Sequence, residues 1–289
     1  MPQGRIGESM GIHFTKMQAY GNDYVYVDAF RQRIQNPGEL AKRISNRHLG
    51  VGSDGLVLIC PSGDCDFRMR IFNPDGTEAQ MCGNALRSAG MLVYEKGMIK
   101  KELLTVETLG GRQRVQLEVE EGRVANIRAA IGRPQLLAAK VPVRTELGQF
   151  LNQPLKILDT TFLISSISWG NPHTVVPVEH VEDFPVEKYG PALERAECFP
   201  ERTNVTFVEV LEEGRLKIRE WERGTGETLG CGTGCCAALV VMHLLGRCER
   251  SVMVEQPGGV LAAFWDDQGV VHMRGPSHVV YEGEYFDEA

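Results

Sequence analysis

The sequence predicts an α+β protein of two pseudo-symmetric halves, each a curved, mostly antiparallel sheet around one central buried helix. Three observations carry this. The chain repeats itself, the strand-like runs recur in the same order in both halves, and each half holds one helix that is apolar on nearly all sides. The repeat is the most informative. Gly21-Asn22 lies 149 positions before Gly170-Asn171, and the same offset maps Arg70 on Arg219, Phe72 on Trp221, Asn73 on Glu222, Glu78 on Glu227 and Cys82-Gly83 on Cys231-Gly232. The offset slips by one for Val106-Glu107 on Val254-Glu255 and Gly110-Gly111 on Gly258-Gly259, and once more for Gly122 and Val124 on Gly269 and Val271. A chance alignment would not hold its register from end to end of a half.

Short β-branched or alternating runs bounded by Gly, Pro, Asn and Asp read as strands. In the first half these are Tyr24–Val27, Leu56–Ile59, Arg68–Phe72, Leu103–Thr108 and Arg114–Glu118. In the second they are Thr174–Val176, Asn204–Glu209, Leu216–Trp221, Val252–Val254 and Val270–Met273. One helix interrupts each set, Asn84–Tyr94 and Thr233–Leu245, closed by Gly97 and Gly246. A helix apolar all round belongs inside, not on a surface. The expected division is residues 1–132 and 133–275, joined near Gly132-Arg133-Pro134, with 276–289 returning to pack on the first half.

Composition narrows the function classes. With 31 Lys and Arg against 38 Asp and Glu, the net charge of −7 provides no basic field for nucleic acid or anionic lipid. The longest apolar run, Cys236 to Leu245, is half of the roughly 20 residues a bilayer crossing needs. The first ten residues have no apolar core or cleavage pattern, so the expectation is a cytoplasmic protein with no membrane partner. Its cysteines, Cys60, Cys65, Cys82, Cys198, Cys231, Cys235, Cys236 and Cys248, are then expected as thiols. None of their spacings suits a zinc knuckle, and Cys60, Cys198, Cys235, Cys236 and Cys248 read as small buried hydrophobes.

Cys82-Gly83-Asn84 and Cys231-Gly232-Thr233 stand apart, because each opens a buried helix. Free N–H groups and the partial positive charge at a helix start favour a thiolate there, and glycine lets a ligand approach the backbone. One such start is open to several readings: an anion cradle, a structural cap or a nucleophile. The pair could also be no more than helix entries inherited through duplication. Two starts related by duplication, with the polar residues around them diversified, fit a narrower chemistry. Stereoinversion at carbon needs a base on one face and a conjugate acid on the other, with the roles exchanged in reverse. The helix-start amides would hold the substrate's carboxylate as charge grows on it.

A set of motifs in order sharpens this. They are Phe14-Thr15-Lys16-Met17 leading to Gly21-Asn22-Asp23, then Gly52-Ser53-Asp54-Gly55, then Phe72-Asn73-Pro74-Asp75-Gly76 leading to Cys82-Gly83-Asn84. The second half adds Gly170-Asn171-Pro172-His173, Arg202-Thr203-Asn204, and Glu222-Arg223-Gly224-Thr225-Gly226-Glu227-Thr228 leading to Cys231-Gly232-Thr233-Gly234. In these residues the chain after about Ile12 resembles the diaminopimelate epimerases, which are pyridoxal-independent amino-acid epimerases. The resemblance implies that Cys82 and Cys231 are the two acid/base thiols. It implies that His173 tunes Cys82 and that Glu222 tunes Cys231 and touches the reacting amino acid. Asn22, Asn73, Asn171, Asn204 and Arg223 would bind the non-reacting end, and Gly83-Asn84 and Gly232-Thr233 would cradle the α-carboxylate. It further implies no cofactor, no metal, a homodimer, and conversion of LL- to meso-diaminopimelate in lysine and peptidoglycan precursor synthesis.

The chain departs from the family pattern at Gln18-Ala19-Tyr20, where His-Gly-Leu is usual, at Gly230, where Ala is usual, and at Ala85-Leu86-Arg87-Ser88-Ala89, where Gly-x-Arg-Cys is common. None removes a catalytic atom; they bear on fine specificity. The rival readings are a histidine- or proline-type racemase on the same scaffold, and a dithiol redox protein using Cys82 and Cys231.

Overall fold

The computed structural model describes residues 11–287. The first ten residues, on which the reading against secretion rested, and residues 288–289 of the returning segment lie outside the described residues. The chain forms two compact units: Arg128–Gly275, and the residues up to Ile127 together with those from Pro276 on.

The first unit begins with the hairpin β1 (Ile12–Ala19) and β2 (Asn22–Asp28). Its turn, Tyr20-Gly21, has φ of 57° and 81°, the left-handed pair that a two-residue hairpin requires. Then follow α1 (Pro37–Ile44), β3 (Leu56–Cys60), β4 (Phe67–Phe72), β5 (Glu78–Ala79), α2 (Gly83–Glu95), β6 (Leu103–Thr108) and β7 (Gly111–Glu120), and β8 (Arg123–Gly132) runs across the division at Ile127 and Arg128. The second unit continues with β9 (Gln153–Ile157), β10 (Thr160–Ser168), β11 (Pro172–Pro177), α3 (Val186–Glu194), β12 (Asn204–Glu212), β13 (Arg215–Glu222), β14 (Gly226–Thr228), α4 (Gly232–Leu244), β15 (Ser251–Gln256), β16 (Gly259–Trp265) and β17 (Val271–Gly275). The returning segment forms β18 (His278–Tyr285), antiparallel to β1 in the first unit. In the second unit β9 lies antiparallel to β10, the strand that corresponds to β1.

The duplication is written in the strand registers. Val25 sits opposite Leu56 in the parallel pair β2–β3, and Thr174 opposite Val205 in β11–β12, 149 residues later in both strands. Leu56 faces Phe72 and Phe72 faces Glu78; Val205 faces Trp221 and Trp221 faces Glu227. Even an ion pair repeats: Arg70 Nε donates to Glu78 at 2.8 Å, and Arg219 Nε to Glu227 at 2.7 Å. The parallel pairs recur as well: β2–β3 and β4–β6 in the first unit, β11–β12 and β13–β15 in the second.

Each sheet has two covered faces. On one lie the long helices α2 and α4, thirteen residues each. In α4 every residue from Cys235 to Met242 is fully buried, so the all-round apolar pattern ends inside the unit as expected. The other face is covered by α1 and α3, which correct the expectation of one helix per half. Leu40, Ala41 and Ile44 of α1 pack on Val25, Val27, Leu56 and Leu58. Val186, Tyr189 and Leu193 of α3 pack on Val205 and Phe207. Both are short, and α3 carries Gly190-Pro191, which reads as a turn in sequence. The glycine is there for packing: a Cβ on Gly190 would lie 2.6 Å from the Trp221 ring.

Candidate active site

Cys82 and Cys231 are the N-cap residues of α2 and α4, both in extended backbone (φ −140° and −127°). Gly83 and Gly232 are thus the first helical residues, and the amides of the first turns have no partner within their own helices. The two half-sites share this frame and differ in the side chains that fill it.

In the first unit, the Cys82 thiol lies 3.6 Å from Asn22 Oδ1, which also takes Asn84 Nδ2 at 3.4 Å. Asn22 Nδ2 donates to Asp54 Oδ2 at 2.8 Å, and Arg47 bridges Asp54 to Asp23, which Lys16 also meets at 2.8 Å. Those cations hold the Asp23 carboxyl below its ordinary range against the desolvation that would raise it. Asn84 Oδ1 receives the fully buried Arg87, whose guanidinium lies over the Tyr20 ring at 5.4 Å. The departure at Tyr20 is therefore a buried packing residue beside Arg87, another of the departures. Asn73 stands apart from this group, at the end of β4, bonded to Thr77 Oγ1 at 3.0 Å. Sequence reasoning missed Tyr24, whose hydroxyl reaches Cys82 and whose pKa burial pushes well up. The offset of 149 could have found it, since Tyr24 falls on His173.

In the second unit, His173, Asn171, Thr233 and Cys231 come together. Asn171 Nδ2 lies 3.0 Å from His173 Nε2 and 3.4 Å from Thr233 Oγ1, which is 3.4 Å from Cys231 Sγ. Gln256 Oε1 accepts the Cys231 N–H and the Cys235 thiol, fixing the helix entry. Asn204 supports the next turn: its Oδ1 accepts the Arg223 N–H at 2.9 Å and its Nδ2 donates to Pro172 O. The Arg223 guanidinium donates to Glu201 O, and Thr228 donates to Glu222 Oε1 at 2.7 Å.

Electrostatics here differ from the expectation of an activated thiolate. Burial pushes the Cys231 thiol well above its ordinary value, reinforced by the charges of Glu222 and Glu220. The Thr233 hydroxyl and Gly234 amide pull it down by less. A helix start cannot hold a thiolate easily when the sulfur is buried between two acids. His173 is completely buried and burial pushes it down to about 4, so its ring is neutral at neutral pH. Its Nδ1 faces Glu220 Oε1 at 3.5 Å. Glu220 is a residue that sequence reasoning missed. It stands in the inward stripe of β13 after Leu216 and Ile218, a carboxyl where alternation calls for a hydrophobe.

Among the described residues, no group of three or more His, Cys, Asp or Glu side chains is placed to hold a metal ion. No helix among them is long and apolar enough to cross a membrane.

The family model described as diaminopimelate epimerase matches residues 14–137 and 165–280. A protein of that name from Methanococcus maripaludis is 46% identical over 274 residues, 94% of this chain and 99% of the relative. Another from Desulfovibrio desulfuricans is 45% identical over 285 residues, 96% and 99% of the two chains. Among solved structures, a Bacillus anthracis phenazine biosynthesis protein of the PhzF family superposes with a TM-score of 0.68 at 20% identity, covering 96% of this chain and 98% of its own. A hydroxyproline epimerase from Agrobacterium vitis, with bound trans-4-OH-L-proline, gives 0.65 at 12% identity, covering 97% and 94%. At such identities these two establish the shared fold.

Proposed function

The chain belongs to the diaminopimelate epimerase family and is an epimerase, and from that premise we propose that it converts LL- to meso-2,6-diaminopimelate with Cys82 and Cys231 as the two bases. The observation that carries this reading is the matched placement of the two thiols, each capping a buried thirteen-residue helix in one of two repeated units. One thiolate takes the α-proton: the C–H bond breaks, an S–H bond forms, and the electron pair moves into the carboxylate. The other thiol gives its proton to the opposite face, which inverts the centre. Amides of the Gly83-Asn84 and Gly232-Thr233 turns receive the charge that develops on the carboxylate. That charge is delocalised into the carboxylate and met by backbone dipoles, so the reading needs neither pyridoxal phosphate nor a metal.

The raised pKa of Cys231 suits it to be the thiol in the resting state, with His173 neutral and acting on Cys82, and Glu222 acting on Cys231. Asn22, Asn73, Asn171, Asn204 and Arg223 would hold the distal amino-acid end, with Glu222 also touching the reacting one. That polar set favours a substrate with a second zwitterionic end over proline, and it supports the family substrate. The enzyme would act in the cytoplasm, as a homodimer, in lysine and peptidoglycan precursor synthesis; sedimentation equilibrium tests its oligomeric state.

Incubation with LL-diaminopimelate in deuterated water tests the reading directly. The expected result is deuterium at the α-carbon of the inverted product. Exchange with proline or histidine in its place would favour the rival racemases, and no α-deuterium with any amino acid would favour the dithiol redox reading.

A further inference from the structure

Beneath Cys231 lies an acid that the two-thiol reaction leaves unused. Glu220 is 2% exposed and projects from β13 toward α4. Its Oε2 meets the Thr206 hydroxyl at 2.5 Å, and its carboxyl is hydrogen-bonded to the Cys231 thiol. Its Oε1 and His173 Nδ1 face each other at 3.5 Å, and both are buried without a closer partner among the described residues. The tautomer of His173 follows from its other nitrogen. Asn171 Nδ2 can only donate, so Nε2 accepts and the proton of the neutral ring sits on Nδ1, aimed at Glu220. The helix has made room for the acid: a Cβ on Gly234 would lie 2.4 Å from Glu220 Oε2. In the first unit the equivalent positions are Ile71 and Ala85, both buried and apolar.

A buried carboxyl is destabilising unless its environment uses it, and a hydrophobe fills the same stripe in the sister unit. We propose that Glu220 is the internal proton partner of Cys231: a positioning residue that takes the thiol proton when the thiolate forms and returns it when the thiol is needed. When Cys231 is to serve as the base, its S–H bond breaks and an O–H bond forms on the ionised Glu220 carboxylate, so the pair keeps its charge and no water or other acceptor is required. His173 Nδ1–H and the Thr206 hydroxyl hold the carboxyl in place. The titratable and charged groups around it are His173 from β11, Cys231 from α4 and, acting on those two, Glu222 and Arg223 at the end of β13. Burial raises the Glu220 carboxyl to about 8, so it exchanges its proton near neutral pH, and its ionised form is the one that accepts from the thiol. The use of this pair in turnover rests on the two-thiol reading; the proton sharing does not.

The test is the pH profile of Cys231 alkylation by iodoacetamide in the absence of substrate, with fragment-ion mapping to separate Cys231 from Cys235 and Cys236. Two coupled groups sharing a proton titrate as a pair. Wild-type Cys231 should therefore react in two steps of pH, Glu220→Gln in one, and Glu220→Asp again in two. A purely structural role would change the rate without changing the number of steps. A single step in the wild type, which needs no variant to fold, overturns the proposal, and so does a two-step profile that survives Glu220→Gln. In parallel, α-deuterium exchange with LL-diaminopimelate should fall at least tenfold in Glu220→Gln and recover in part in Glu220→Asp. Two steps in a wild-type protein that exchanges no α-proton would uphold the proton sharing and overturn the epimerase reading instead.

Discussion

Glu220 and Glu222 stand two residues apart on the same strand and face of β13, yet their surroundings differ. Glu222 is half-buried and accepts from Thr228, while Glu220 is enclosed beside a histidine that burial keeps neutral. That enclosure has a consequence for stability. Glu220 titrates near 8 when folded against an ordinary 4.5, so the folded state holds the extra proton between those values and stability falls as pH rises through them. His173, at about 4 against 6.5, has the opposite sign: the unfolded state binds the extra proton, and stability falls as pH drops below 6.5. From pH 7 to 8 the unfolded histidine is largely neutral and Glu220 dominates the slope, at up to about 1.4 kcal/mol per pH unit. Urea unfolding should show wild-type stability falling over that window and Glu220→Gln nearly level; equal slopes would contradict the assignment. Arg223 allows a second prediction at this scale. If it binds the distal carboxylate, Arg223→Met loses a charge-assisted bond of about 1.5–3 kcal/mol, a rise in KM of roughly ten- to a hundredfold. Unchanged KM would remove it from the site.

The legibility of the elements followed the strength of their periodic signals. The helices α2 and α4 were legible because each is dominated by Ala, Leu, Val and Met on nearly all sides, a pattern with only one place to go. Both helix entries were legible too, since Cys-Gly before such a stretch is an N-cap. The shorter α1 and α3 were not, because eight or nine residues with Pro at the start or Gly-Pro inside read locally as turns. Packing on the sheet decides them, through contacts such as Gly190 against Trp221, and sequence spacing does not carry that. Glu220 was hidden for a similar reason: a single acid in a strand is ordinarily a solvated face, and only its position in the inward stripe marks it. At this scale Leu239→Ala, in the fully buried middle of α4, should cost about 2–5 kcal/mol of stability. Gly234→Ala should displace Glu220 and remove one step from the Cys231 alkylation profile. Thermal melts and the same alkylation mapping check both; a Gly234→Ala protein with an unaltered profile would mean that the helix did not need the glycine there.

At the scale of the whole molecule, one pattern of strands and helix has been used twice and then specialised. The strand registers, the Arg–Glu pairs that join β4 to β5 and β13 to β14, and the capping thiols are retained. The groups around the sulfurs are not: Tyr24 and Asn22 attend Cys82, while Cys231 is enclosed with Thr233 and the carboxyl groups of Glu220 and Glu222. The repeat itself was readable from the sequence, because helix caps, turn glycines and ion pairs kept their spacing. This difference in surroundings was not, because it depends on which side chains reach each sulfur in three dimensions. It fits a reaction in which equivalent residues carry opposite protonation states at the start of each turnover. The decisive measurement is epimerisation of LL-diaminopimelate in deuterated water by Cys82→Ala and Cys231→Ala, each beside Cys198→Ala as control. The account predicts that each of the two loses roughly 10²–10⁴-fold in turnover, the worth of a positioned acid or base, while the control keeps its rate. Near wild-type inversion by either Cys82→Ala or Cys231→Ala would contradict it.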